Sequence, residues 1–202
     1  FGSASVLDTT NPVGGGVSYH LVTIGRGDDR TIAHLTSAAA GYGLSSNIFI
    51  GATLKSAIMT GALNGNAVTM DAGLTARLFD SFTASFSGHN LIGIPNPYLP
   101  RYFVLGLGYF FSSAFTLAAD FRGDFGVGGT TPFAFRAGGE YIAGDTFPLR
   151  AGYGYDTVTH SHFLSGGLGF VVDGGGFDVA YRHELGGDEG RMLAVTFKLK
   201  LG

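Results

Sequence analysis

Hydrophobic and polar residues alternate along this chain with a period of two, and the alternation returns segment after segment. In 115–125, Phe115, Leu117, Ala119 and Phe121 share one parity, while Thr116, Ala118, Asp120, Arg122 and Asp124 share the other. In 192–201, Leu193, Val195, Phe197, Leu199 and Leu201 oppose Ala194, Thr196, Lys198 and Lys200. In 67–78, Val68, Met70, Leu74 and Leu78 oppose Asp71, Thr75 and Arg77. Successive side chains of a strand point to opposite faces, so this pattern predicts β-strands with one apolar face. The predicted strands lie near 17–25, 31–43, 48–59, 67–78, 82–90, 102–111, 115–125, 133–142, 148–156, 162–172, 177–185 and 192–201, with a further one at 1–7. The pattern is weakest before residue 45, where Ala38, Ala39 and Ala40 have poor strand propensity. Glycine and β-branched or aromatic residues recur too densely for a helix of three turns.

The connections between these segments alternate in length. Short ones fall at 44–47, 79–81, 112–114, 143–147 and 173–176; longer or more irregular ones fall at 60–66, 91–101, 126–132, 157–161 and 186–191. A meander with short turns at one end and longer loops at the other is the plan of an outer-membrane barrel. A strand of about ten residues, at about 3.3 Å rise and about 40° tilt, crosses roughly 25 Å of hydrocarbon.

The charges follow the same parity. Lys55, Asp71, Arg77, Asp120, Arg122, Asp124, Arg136, Glu140, Arg150, Asp156, Asp178, Arg182, Glu184, Lys198 and Lys200 all fall on the polar face, and the apolar parity of the predicted strands carries none. An Arg or Lys facing lipid at mid-depth costs about 2–4 kcal/mol, which empties that face of charge. The polar face mixes charge with glycine, as a narrow wet lumen requires.

Composition agrees. Only 27 of 202 residues are charged (12 basic, 15 acidic), or 13%, against about 25% in an ordinary soluble domain. No run approaches the roughly 18 apolar residues of a helical span. Hydrophobic content of 45% argues against disorder, and the 35 glycines keep no three-residue period. A net charge of −3 without a basic block gives no reason to expect nucleic acid. The absence of Cys removes disulfides and thiolate metal sites, and no cofactor is expected. The expected fold is therefore an all-β, antiparallel, up-and-down transmembrane β-barrel, a single domain over 1–202 in contact with outer-membrane lipid. An unpaired backbone group in hydrocarbon costs several kcal/mol, so the sheet must close. Single-chain bacterial barrels close with an even number of strands. The expectation is about 12–14 strands, and 14 if the chain is complete; with Phe1 at its start, an N-terminal segment is allowed for.

The run Phe135-Arg136-Ala137-Gly138-Gly139-Glu140-Tyr141, followed by Pro148-Leu149-Arg150-Ala151-Gly152-Tyr153, resembles a recurring hairpin of the FadL/PorV-like outer-membrane barrels. Leu164-Ser165-Gly166-Gly167-Leu168-Gly169-Phe170 and Phe177-Asp178-Val179-Ala180-Tyr181 are similar to that group's following strands. Asp71-Ala72-Gly73-Leu74 and Leu105-Gly106-Leu107-Gly108-Tyr109 match upstream in order and spacing, so the resemblance spans about 48–201. It implies a fourteen-stranded barrel of the bacterial outer membrane with both termini in the periplasm. FadL-like members imply a passive route for long-chain hydrophobic compounds past an N-terminal plug. PorV-like members imply a subunit of secretion and surface-attachment complexes. Two departures stand out: no plug-like segment precedes the first strands, and Leu199-Lys200-Leu201-Gly202 lacks a terminal aromatic.

The candidate chemistry is sparse. The polar face could line a solute path, with Arg122, Arg136, Arg150 and Arg182 as anion contacts, or it could form a self-neutralising network. The apolar loop carrying Ile92, Ile94, Pro95, Pro97, Tyr98 and Leu99 could cover the barrel mouth, bind a hydrophobic solute or dock a partner protein. Asp156, His160 and His162 could ligate a metal, but lack a fourth ligand in sequence. His89-Asn90 could belong to a Ser–His–Asn hydrolytic arrangement, with no partner identifiable. Glycine stretches such as Gly166-Gly167-Leu168-Gly169 are not phosphate cradles, because no helix follows them. The absent plug and balanced charge favour a scaffold subunit of an envelope complex, with other envelope proteins as partners. The alternative is a FadL-like passive transporter of hydrophobic small molecules, and no enzyme is expected.

Overall fold

The computed structural model describes residues 2–10, 12–25, 29–92, 100–125, 132–157, 159–186 and 190–199. Its strands are β1 (Gly2–Asp8), β2 (Val13–Ile24), β3 (Thr31–Gly43), β4 (Ile48–Gly61), β5 (Gly65–Phe79), β6 (Phe82–His89), β7 (Arg101–Phe110), β8 (Phe115–Phe125), β9 (Phe133–Ala143), β10 (Phe147–Asp156), β11 (Ser161–Val172), β12 (Gly175–Leu185) and β13 (Arg191–Leu199). They form one antiparallel 13-stranded sheet in strict up-and-down order, with β1 and β13 as its terminal strands. The segment predicted at 1–7 is thus a strand from Gly2 onward, and the thirteen strands of the described residues lie between the expected twelve and fourteen. β2 starts at Val13 rather than 17, because Gly14, Gly15 and Gly16 have no side chains to display a parity. Among the described residues no helix is long and apolar enough to cross a membrane.

The contacts divide the chain into two compact units, Phe1–Ala76 with Ser85–Phe103, and Arg77–Ala84 with Val104–Gly202. In the first unit, Lys55 of β4 lies opposite Ser37 of β3 and Thr69 of β5. The odd-numbered residues of these strands therefore share a face. In the second, Arg150 of β10 lies opposite Glu140 of β9 and Gly167 of β11. Here the charged parity is even in β8, β9, β10, β12 and β13, and odd in β11. Three charges stand on the apolar parity, Asp8, Arg101 and Arg191, and each is the first or last residue of its strand. They lie outside the segments predicted from the pattern, and the interior of each apolar face keeps its emptiness.

The apolar side chains do not form a core. Ala33, Ala57 and Ala134 are the buried hydrophobic residues among those described, whereas Leu168, Leu193 and Phe197 are 59%, 67% and 75% exposed. A soluble sandwich packs its apolar faces together. This sheet leaves them exposed, an arrangement that hydrocarbon stabilises and water does not.

The short connections are built for tight reversal. Ser45 Oγ accepts from the N–H groups of Asn47 and Ile48 at 3.2 and 3.1 Å. Ser112 Oγ does the same for Ala114 and Phe115, at 3.2 Å each. Between β9 and β10, Gly144 and Asp145 have φ of 58° and 57°. The Thr146 N–H donates to the Ala143 carbonyl at 3.3 Å. This is the type I′ turn whose twist matches paired strands.

Candidate functional site

The second unit concentrates charge around Arg150. Its Nε meets Glu140 Oε2 at 2.5 Å, and its Nη1 meets Asp178 Oδ1 at 2.5 Å. Lys198 Nζ adds a contact to Asp178 Oδ2 at 3.0 Å. Glu140 is a direct neighbour, but Asp178 is two strands away, across β11. The reach is possible because β11 presents Gly167 opposite Arg150 and Gly169 opposite Asp178. A Cβ at Gly169 would collide with Asp178 Oδ1. Glycine beside the charges is therefore what lets one guanidinium join carboxylates of β9 and β12.

The remaining predicted residues of this unit pair locally. Arg122 donates from Nε and Nη2 to both oxygens of Asp124, at 2.6 and 2.9 Å. Arg136 Nη1 faces Asp120 Oδ1 at 3.5 Å. Glu184 accepts the Ser161 hydroxyl, and the Arg182 guanidinium lies 4.9 Å over the Phe163 ring. Arg77 and Asp156 stand near the ends of β5 and β10 on the charged parity. Lys200 lies outside the described residues.

The first unit holds a second cluster, centred on Asp71 of β5. Lys55 Nζ is 2.7 Å from Asp71 Oδ1, and the Asn90 N–H donates to the same oxygen at 3.0 Å. His89 Nδ1 lies 2.9 Å from Asp71 Oδ2, and His89 Nε2 lies 3.0 Å from Ser87 Oγ. The His89 ring stacks on Tyr102, centroids 4.4 Å apart and planes 14° apart. Ser87 and His89 share a face because they are two apart in β6. Asn90 is not a third member of a Ser–His–Asn arrangement. Its backbone N–H braces Asp71, and its Nδ2 donates to the Pro100 carbonyl at 2.8 Å.

Two other candidates separate. His162 Nδ1 pairs with the Tyr153 hydroxyl at 2.6 Å on the apolar face, and His160 occupies a turn at φ 50°. No group of three metal-ligating side chains occurs among the described residues. Of the apolar loop, Ile92 is described and 47% exposed, whereas Ile94, Pro95, Pro97, Tyr98 and Leu99 lie outside the described residues.

A groove of about 610 Å³ crosses the second unit's apolar parity. Ala119, Ala137 and Ala151 form its small-residue floor, with Leu107, Leu117 and Tyr153 among its walls. Ala119 lies opposite Ala137 in register, so two neighbouring strands lack bulk at the same level.

No family model matches the sequence, and no curated protein matches it. Solved structures do. The Ralstonia pickettii toluene transporter TbuX superposes with a TM-score of 0.78 at 12% identity, over 99% of this chain and 81% of that one. The CymD monoaromatic hydrocarbon channel gives 0.76 at 14% identity, over 97% and 80%. A Pseudomonas aeruginosa FadL homologue gives 0.63 at 17% identity, over 97% and 75%. The resemblance read from the strand motifs thus holds in three dimensions, and the chain carries the fold of the FadL-type β-barrels.

Proposed function

We propose that this protein is a β-barrel of the bacterial outer membrane that passes small hydrophobic molecules. The observation that carries the reading is the fold likeness, over 97–99% of the chain, to a toluene transporter and a monoaromatic hydrocarbon channel. Transport takes precedence over the scaffold role expected from sequence, which rested on the expectation that no plug is present and on the charge balance. The same balance now supports passage of an uncharged solute. Arg122, Arg136 and Arg150 are each held by a carboxylate, so a lumen lined by them presents paired charge rather than an anion-attracting wall. The exposed Leu and Phe side chains of the other face suit contact with lipid.

The test is uptake of a radiolabelled monoaromatic hydrocarbon by Gram-negative cells carrying the protein in the outer membrane. Folding is verified by heat-modifiable gel migration. Faster uptake than in cells without the protein, with no faster entry of a small organic anion, is the expected result. Equal hydrocarbon uptake in both, with folded protein present, would reject the proposal.

A further inference from the structure

The cluster around Asp71 has an order that charge neutralisation alone does not require. Asp71 takes its cation from Lys55 at 2.7 Å. Its other oxygen meets His89 Nδ1 at 2.9 Å, and His89 Nε2 meets the Ser87 hydroxyl at 3.0 Å. Chemistry fixes the proton positions. An ionised carboxylate only accepts, so His89 must carry its hydrogen on Nδ1. In the neutral ring this leaves the Nε2 lone pair facing the Ser87 O–H. The carboxylate is held by Lys55 and the Asn90 N–H, and the ring plane by Tyr102. Ser87 itself is half-buried.

We propose that Ser87 is an activated nucleophile and that Ser87, His89 and Asp71 form a site hydrolysing small carboxylic esters. Ser87 Oγ bonds to the ester carbonyl carbon as its proton passes to His89 Nε2. The adduct collapses with cleavage of the ester C–O bond, and the alcohol leaves with the proton from Nε2. Water then gives a proton to Nε2 while its hydroxyl adds to the acyl carbon. The bond from Oγ to the acyl carbon breaks, Ser87 regains its proton and the carboxylic acid departs. The sum is ester plus water giving acid plus alcohol. Asp71 is a positioning residue: it holds the productive tautomer and faces the imidazolium formed at each addition.

The site lies wholly within the first unit, and its test needs no transport measurement. Full-length protein in detergent is treated with a fluorophosphonate probe, and hydrolysis of p-nitrophenyl butyrate is followed separately. The expected result is one phosphonate on the peptide containing Ser87, with labelling and hydrolysis lost in Ser87→Ala. His89→Gln should slow both by about 10²–10⁴-fold, the range for losing a general base. Asp71→Asn should lower kcat by at least about tenfold with KM unchanged, the mark of an interaction made in the transition state. Each variant is checked for heat-modifiable migration, and Ser87→Ala removes only one hydroxyl from the cluster. Labelling of the unmodified protein no faster than that of Ser87→Ala would overturn the proposal. So would His89→Gln labelling at the unaltered rate.

Discussion

Leu168 offers a direct test of what the apolar face touches. It stands on that parity of β11, opposite Leu149 of β10 and Val179 of β12, and is 59% exposed. Were that face in water, Leu168→Arg would be an exposed substitution, worth within about 0.5 kcal/mol. In hydrocarbon the same change costs about 2–4 kcal/mol at the midplane. β11 runs over Ser161–Val172, so its centre falls between residues 166 and 167. At about 3.3 Å per residue and about 40° tilt, Leu168 lies about 4 Å from that centre along the membrane normal. Nearly the full penalty therefore applies, a loss of about 30- to 700-fold in the folding equilibrium at about 1.4 kcal/mol per tenfold.

Thr196→Arg is the control. Thr196 lies on the charged parity of β13, opposite Asp178, where an added cation meets a carboxylate. Its expected cost is within about 1 kcal/mol, as for a partly exposed ion pair. The chain has no Trp, so folding is followed by unboiled gel migration over a urea titration in phosphatidylcholine vesicles. A cost for Leu168→Arg below about 0.5 kcal/mol would refute the assignment of that face to lipid. A cost for Thr196→Arg equal to that of Leu168→Arg would refute the division into two faces.

Two further predictions concern the Arg150 cluster. Gly169→Val should destabilise by about 1–3 kcal/mol, because its Cβ meets Asp178 Oδ1 and stands 3.0 Å from the Pro148 ring; urea titration in the same vesicles measures it. A double-mutant cycle of Arg150→Ala and Asp178→Ala should give a coupling of about 0.5–3 kcal/mol. That coupling should shrink in 1 M salt, since the Arg150 side chain is 39% exposed and its partner 14%.

The strands were legible because the charges keep to one face, a parity that survives wherever side chains exist to display it. It fails at Gly14–Gly16, where β2 continues without side chains, and at Asp8, Arg101 and Arg191, where a charge at a strand end no longer faces the centre of the apolar band. Parity assigns a residue to a face but says nothing of its neighbour on the next strand, so the pairings were harder to read. Parity puts Asp71 on the charged face, but nothing in the pattern marks Ser87 as the neighbour of His89 or shows that Asn90 braces Asp71 through its backbone N–H. The contact of Asp71 with His89 was within reach of the short connection at 79–81: counting back with 78 opposite 82 brings 71 level with 89, and period two then puts Ser87 on the same face as His89. Short turns determine register in a meander, so pairs close to one turn can be read by counting back from it. Arg150 with Asp178 cannot be read that way, since the contact passes over β11 and depends on the missing side chains of Gly167 and Gly169. Glycine in this sheet therefore records where a charge must cross a neighbouring strand to reach its partner, and a Gly on the charged parity is the place to look for such a crossing.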